Sequence, residues 1–458
     1  MYFFEISQLE KISEEYFNLI DDYFSGIYQP GINKFLQADK IKYFKIAAQT
    51  ILASIEDLQD DLSEFWEKNE KRVVDITSNS DAFKVIYCGS PSPLQGINFI
   101  KRTALYMDTL LIEDPLSFLL KTKAVATDEV YLYELIKHVF NLLDMRKLFF
   151  GEGEIPFLVI FPTLVNMRNI KDIRNITQES GNEYFRLLFE KDFHDSDDVF
   201  DFLSYFSEVG AVLREVKNPN ILFPDVIDKK QRLLEVYSSI SDSFKEKEFN
   251  PGYSLGFKVY GQFQNLGNQV YNAQKLSSQI VFDNDEYWKL YTWDLTKNKR
   301  QSVDLDSTLL NTLQFDDFRW LELIDIDRLN DVRNQKELTH IRNLIRTGIH
   351  TNLNGISEDE VKIRAMKNLE KALEEHSNNI VEISNQLKKK VPLNTISIVS
   401  GAVATIPASW AELSMLGAIS TVYGIHDYIN STSDLIKNKK QLNDSLIGVL
   451  FDAKRSDL

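Results

Sequence analysis

With a single cysteine, Cys88, the chain can build neither an intramolecular disulfide framework nor a multi-cysteine zinc site. Turn formers are scarce as well, with 18 glycines and 11 prolines in 458 residues. That shortage favours long helices over many short strands joined by tight turns. Basic side chains are outnumbered 52 to 68, which leaves a net charge of −16. A field of that sign repels phosphate backbones, so nucleic acid is not an expected partner without a locally basic groove. The densest basic runs, Lys388-Lys389-Lys390 and Lys437-Asn438-Lys439-Lys440, are too short to be more than solvated faces or helix-terminal charges.

Long apolar runs are missing too. The most apolar stretch, 396–425, is divided by Pro407 and Glu412 into halves too short to span a bilayer, which takes about twenty apolar residues. It reads as two closely packed small-residue helices, with membrane action as a minor alternative. The opening residues MYFFEISQLEKISEEYF meet acidic side chains too early for a signal-peptide apolar region, so a cytoplasmic protein is expected. Neither G-x-G-x-x-G nor a Walker loop occurs, and no metal or cofactor is expected. His194-Asp195-Ser196-Asp197-Asp198 lacks the glycine and glutamate of a calcium loop, and helix capping by Asp195 or Asp197 explains it more simply.

What is present is helical periodicity, beside 43% hydrophobic and 12% aromatic residues, enough for a substantial core. Leu9, Ile12, Tyr16, Leu19 and Tyr23 recur at three- and four-residue steps, a stripe on one helix. Ile41, Phe44, Ala48, Ile51, Ile55, Leu58, Leu62 and Phe65 do the same, predicting a helix over 38–68 that pairs antiparallel with the first. A third stripe, Met366, Leu369, Leu373, His376, Ile380, Ile383 and Leu387, predicts a helix over 357–390 and an interaction seam. His376 at a seam position is expected to fix register or partner.

One segment breaks the helical pattern. Phe83–Cys88 and Thr109–Ile112 read as strands around a helix, a βαβ unit with a parallel pair. Ligands usually bind at the carboxyl ends of parallel strands, which makes Cys88, Ser90, Ser92, Glu113 and Asp114 the candidate ligand residues. Ile155–Val165 is apolar throughout and reads equally as strand or helix, whereas Phe315–Asp327 alternates like a strand. Helices are expected at 128–150, 177–191, 197–217, 228–247 and 256–278.

Arg342, Arg346 and His350 fall at helical intervals, predicting a basic stripe opposite Ile341, Leu344, Ile345 and Ile349 that could grip phosphate. HEPN-type ribonucleases carry an arginine and a histidine on a helix with four to six residues between them. Here three residues separate Arg346 from His350 and seven separate Arg342 from it, so no activity carries over.

The expected fold is mainly α, with long-helix bundle or coiled-coil-like N- and C-terminal elements and a small α/β insertion. Its expected divisions are 1–70, 71–125, 126–335 and 336–458. The expected function is a helical scaffold or interaction protein with a protein partner or self-association. Composition suggests a subunit of a bacterial multi-protein assembly, with defence or conflict systems as context. The alternatives are a phosphate-substrate enzyme, using the 88–114 loops or the 342–350 helix face, and a membrane-acting effector using 396–425.

Overall fold

The computed structural model describes residues 2–28, 51–88, 93–104, 106–122, 128–150, 155–165, 170–223, 226–243, 249–282, 285–297, 305–314, 316–324, 328, 335–347, 349, 358–390, 437–441 and 445–457. The protein is mostly helical with a small parallel sheet of four strands. It divides into two compact units, one of Met1–Asp316 with His350–Val361 and one of Asp317–Ile349 with Lys362–Leu458.

The first unit is organised on β1 (Lys84–Cys88), β2 (Thr109–Glu113), β3 (Leu158–Phe161) and β4 (Gln279–Phe282), in the order β3-β2-β1-β4. Every pairing is parallel, with Val85 opposite Leu110, Leu111 opposite Val159 and Ile86 opposite Ile280. Parallel strands are covered on both faces, so they read as unbroken apolar runs such as LVIF rather than alternating ones. The βαβ reading of 83–112 holds, and the ambiguous run at 155–165 contains a strand. Strands from the segment read as an insertion (71–125) and from the helical middle (126–335) therefore share one sheet.

Two helices, α1 (Tyr2–Phe24) and α2 (Ile55–Asn79), pack against each other beside this sheet. Tyr23 bonds Asp61, Glu15 pairs with Lys68 and Gln8 accepts from Arg72, so they run antiparallel. Ile51, Ile55, Leu58, Leu62 and Phe65 are buried as their spacing predicts. Ile41, Phe44 and Ala48 lie outside the described residues. The stripe does not end at Lys68, because Asn69, Val73 and Thr77 continue it at four-residue steps and are buried. Lys84, at the start of β1, then closes α2 by donating to the Ser80 carbonyl at 2.5 Å.

Between the strands come α3 (Pro93–Thr103), α4 (Pro115–Thr122) and α5 (Asp128–Asp144). After β3 the chain adds α6 (Ile170–Phe189), α7 (Ser196–Ser204), α8 (Val209–Glu215), α9 (Lys229–Ser243) and α10 (Pro251–Leu276). The expected single helix over 197–217 is thus two helices. Asn250 takes the Ser204 carbonyl and the Gly252 amide takes that of Phe206, so long-range bonds replace the helical ladder there. Asp195 accepts from the amides of Asp197 and Asp198, the capping role its sequence suggests. Asn250 caps α10, with Pro251 in the first turn. After β4 come α11 (Asp285–Lys297) and α12 (Leu305–Thr312).

The second unit holds α13 (Gln335–Arg346), most of α14 (Glu358–Lys390) and α15 (Leu446–Asp457). The expected strand over 315–327 is instead a 3-10 helix spanning Asp316–Leu323. Phe318, Leu321 and Ile324 bury at three-residue steps, the period of that helix. Asn368 of α14 donates to the Ile345 and Thr347 carbonyls, satisfying the end of α13.

On α14, the predicted seam residues Leu369, Leu373 and His376 are buried, whereas Met366, Ile380 and Ile383 are half-buried. The side chain of Leu387 lies outside the described residues. His376 packs its ring 5.4 Å from Phe451 of α15, and its Nε2 is buried with no hydrogen-bond partner among the described residues. Burial lowers its proton affinity below the usual 6.5, with Asp452 pulling weakly the other way. The native state therefore favours neutral imidazole. Its contribution is whole above about pH 6.5 and is lost as pH falls from there toward the lowered native value. Replacing His376 with Leu is expected to remove this dependence. The gap in melting temperature between wild type and His376→Leu should widen as pH drops from about 7.5 to about 5.5, and a constant gap would contradict the assignment.

Candidate ligand site

Because the strands are parallel, their carboxyl ends meet at one edge. The chain moves outward from β1 to β2 to β3, then returns to place β4 on the other side of β1. The order reverses between β1 and β4, the position where open parallel sheets usually take a ligand. Cys88 ends β1 fully buried opposite Phe282 of β4. Ser90 and Ser92 lie outside the described residues.

Glu113 and Asp114 close β2, and as neighbours along a strand they turn to opposite sides. The Asp114 carboxyl is fully buried. It accepts from Tyr16 Oη at 2.7 Å, Trp66 Nε1 at 2.7 Å, Ser117 Oγ at 2.6 Å and the Leu116 amide at 3.0 Å. Burial first, then Asp114, holds the Tyr16 hydroxyl well above its ordinary titration range. Such a saturated carboxyl ties α1, α2 and α4 to the sheet and has little acceptor capacity left for a ligand.

Glu113 turns toward α10. Thr163 Oγ1 donates to one carboxyl oxygen at 2.7 Å, while Gln269 Nε2 and Asn272 Nδ2 donate to the other at 3.0 and 3.1 Å. A carboxylate accepts only, which fixes both amides with nitrogen inward. Their oxygens are buried and meet no donor among the described residues. Glu113 is thereby aimed and held at the sheet edge.

A more capacious site lies further along α10. A cavity of about 190 Å³ opens between α6, the 220–223 segment, α10 and α11, the helix that follows the carboxyl end of β4. Tyr184, Phe223 and Trp293 supply aromatic wall, and Ile221, Val259 and Leu290 supply aliphatic wall. Asn220, Gln262, Glu286 and Lys289 are its polar lining. Phe223 takes a positive φ of 47°, an unusual conformation for a bulky residue, and Lys229 bonds its carbonyl and that of Leu222. Glu286 accepts from Gln262 at 2.6 Å and Arg232 at 3.3 Å, with Lys258 at 3.9 Å. Desolvation lowers the proton affinity of Lys258, opposed by Glu286 and reinforced by Arg232. Burial, then the Glu286 charge, raises the Tyr184 hydroxyl far above its ordinary range.

Tyr184, Phe263 and Trp293 form a triangle with ring centroids 5.8 to 6.1 Å apart, and it seats α11 on α6 and α10. Beyond the triangle lies a second cavity of about 350 Å³, where Ser180 donates to Asp294 at 2.5 Å. Helix α11 is thus flanked by open space on both sides. Trp288 is its one buried residue among those whose side chains are described.

Elsewhere, Arg342 lies on the buried face of α13, only 7% exposed and bonded to Thr339, rather than on an outward basic stripe. It stands four residues from Leu338 and three from Ile345, both core positions, which puts it on their side of the helix. Arg346 is half-buried, and His350 lies outside the described residues. No metal-binding group of three or more His, Cys, Asp or Glu side chains occurs among the described residues. No helix among them is long and apolar enough to cross a membrane, and 396–425 lies outside them.

None of the cavity residues stood out in sequence, because they come from four separated segments. The one local signal is the aromatic density of 287–293 (YWKLYTW), of whose four aromatic residues only Trp293 lines the cavity. No protein-family model, curated protein or solved structure matches the chain.

Proposed function

We propose that the first unit is a small-molecule-binding module and that the cavity beneath α11 receives the ligand. The observation carrying this reading is the convergence of three aromatic rings with Gln262, Glu286 and Lys289 beside the helix that leaves β4. An apolar recess with a few fixed polar groups is where small ligands are recognised. The fold alone does not name a reaction, so the proposal is binding. A thermal-shift screen of small cyclic compounds tests it. Hits that raise the melting temperature of wild type and leave Leu290→Trp unmoved are expected, since the added indole fills the recess. A screen without hits would count against the proposal.

A second reading, the interaction platform, draws on α14. From Ser377 to Gln386 no described side chain is buried, although Ile380, Val381 and Ile383 are apolar and Val381 is 53% exposed. Such a face suits self-association or a protein partner. Light scattering behind size exclusion is expected to give a mass above 53.1 kDa that falls in Val381→Asp. A monomeric mass for both would overturn this second reading.

A further inference from the structure

Size and wall chemistry narrow what the cavity can hold. An engineered apolar cavity of about 150 Å³ accommodates benzene, whereas drug-sized ligands occupy about 300 Å³ or more. At about 190 Å³, this recess has room for a single ring with one small substituent. Tyr184, Phe223 and Trp293 offer edges and faces to such a ring, and aromatic pairs gain beyond their buried area.

The polar lining decides the substituent, because most of it is already engaged. Tyr184 donates its hydroxyl to the Ile221 carbonyl at 3.0 Å. Glu286, the one carboxylate in the lining, accepts from Gln262 and pairs with Arg232, with Lys258 at 3.9 Å. Arg232 also pairs with Glu235 and lies 6.0 Å from the centre of the Phe223 ring. Lys289 is partnered as well. A ligand charge of either sign would shed its water in an apolar recess whose own charged groups are taken, and that is costly.

One group is left over. Gln262 directs its Nε2 at Glu286 at 2.6 Å, and a carboxylate only accepts, so the amide oxygen points the other way. That oxygen meets no donor among the described residues, although its side chain lines the cavity and is only 6% exposed. Asn220, the remaining polar residue of the lining, is exposed and open to solvent. A bare ring laid over the Gln262 oxygen would leave a buried acceptor unmet, whereas a hydroxyl or N–H on the ring would satisfy it.

We infer that the ligand is a neutral single-ring compound bearing one hydrogen-bond donor, of the class of a phenol or aryl amine, with its ring among Tyr184, Phe223 and Trp293 and its O–H or N–H on the Gln262 amide oxygen. This deepens the ligand-site proposal and depends on it.

Calorimetric titration of the full chain with phenol, aniline, toluene, benzoate and benzylamine separates the alternatives. Toluene is the more apolar ring and would bind tighter than phenol in a recess with no open acceptor. The expected order is the reverse, with phenol and aniline about tenfold tighter than toluene, and both ions at least about tenfold weaker than phenol. Gln262→Met removes the acceptor at similar volume, so toluene should overtake phenol in that variant, with its melting temperature measured to establish that it folds. The wild-type series decides the matter even if the variant does not fold. Toluene binding as tightly as phenol in wild type, or phenol keeping its lead in folded Gln262→Met, would overturn the donor assignment while the site itself stood. Benzoate or benzylamine binding as tightly as phenol would overturn the neutral assignment in the same way. Silence from all five probes at millimolar concentration would remove the ligand-site proposal with it.

Discussion

Replacing Asp114 with Ala is expected to cost about 3–5 kcal/mol of stability, the range for breaking a buried charged or multiply bonded polar network. The carboxyl leaves behind the Tyr16 hydroxyl, the Trp66 indole N–H and the Leu116 amide, all buried donors that bond to it. Ser117 can rotate and recover part of its loss. Helices α1 and α2 meet the sheet at this residue, so the damage should be global rather than local. Asp114→Asn should cost less, since one amide oxygen still accepts, although its NH2 faces donors. Urea denaturation followed by circular dichroism measures both. A loss under about 1 kcal/mol for the alanine variant would mean that the network is not what fastens these helices.

Gly252→Ala is the second large effect. A Cβ there would sit 2.2 Å from the Leu203 carbonyl oxygen and 3.0 Å from Phe206 Cβ. The first is backbone and cannot swing aside, so α10 must move off α7. Alanine gains up to about 1 kcal/mol of helix propensity over glycine, but overpacking costs about 1–3 kcal/mol and more where backbone is struck. A net loss of about 2 kcal/mol is expected. The same helix contains its own control. Around Gly261 nothing lies within 4 Å of the added carbon, so Gly261→Ala should stabilise by up to about 1 kcal/mol. Thermal unfolding of the pair should give shifts of opposite sign. Equal shifts would dissolve the close-approach argument.

These two residues illustrate what a sequence exposes and what it hides. Strong periodicity was readable. The stripe from Ile51 to Phe65 buries as spaced, and the apolar runs around Ile86 and Leu111 pair in parallel. Short elements were not. QIVF of β4 is too brief to declare itself beside a long helix, and it acquires strand geometry only by pairing with β1. The break at 205–208 contains neither glycine nor proline, and its cause lies some forty-five residues away in Asn250 and Gly252.

The candidate site divides along the same line. That carboxyl ends of parallel strands matter could be read from 83–114, and Glu113 does sit there with three donors fixed on it. Asp114, its sequence neighbour, is consumed by packing, a difference set by which side of the strand each faces. Arg342 follows the same logic, since heptad spacing identifies a helix more reliably than it identifies the helix's outward face. Beyond the aromatic density of 287–293, the cavity beneath α11 had no linear signature. Tyr184 and Trp293 are distant in the chain and meet because α6 and α11 both pack on α10.

A crystal structure of the chain grown with a saturating hit from the thermal-shift screen tests the ligand-site proposal most directly. A ring of that compound between Phe223 and Trp293, inside the cavity beneath α11, is the expected result. Electron density for the compound only at other surfaces, with that recess holding solvent alone, would contradict it.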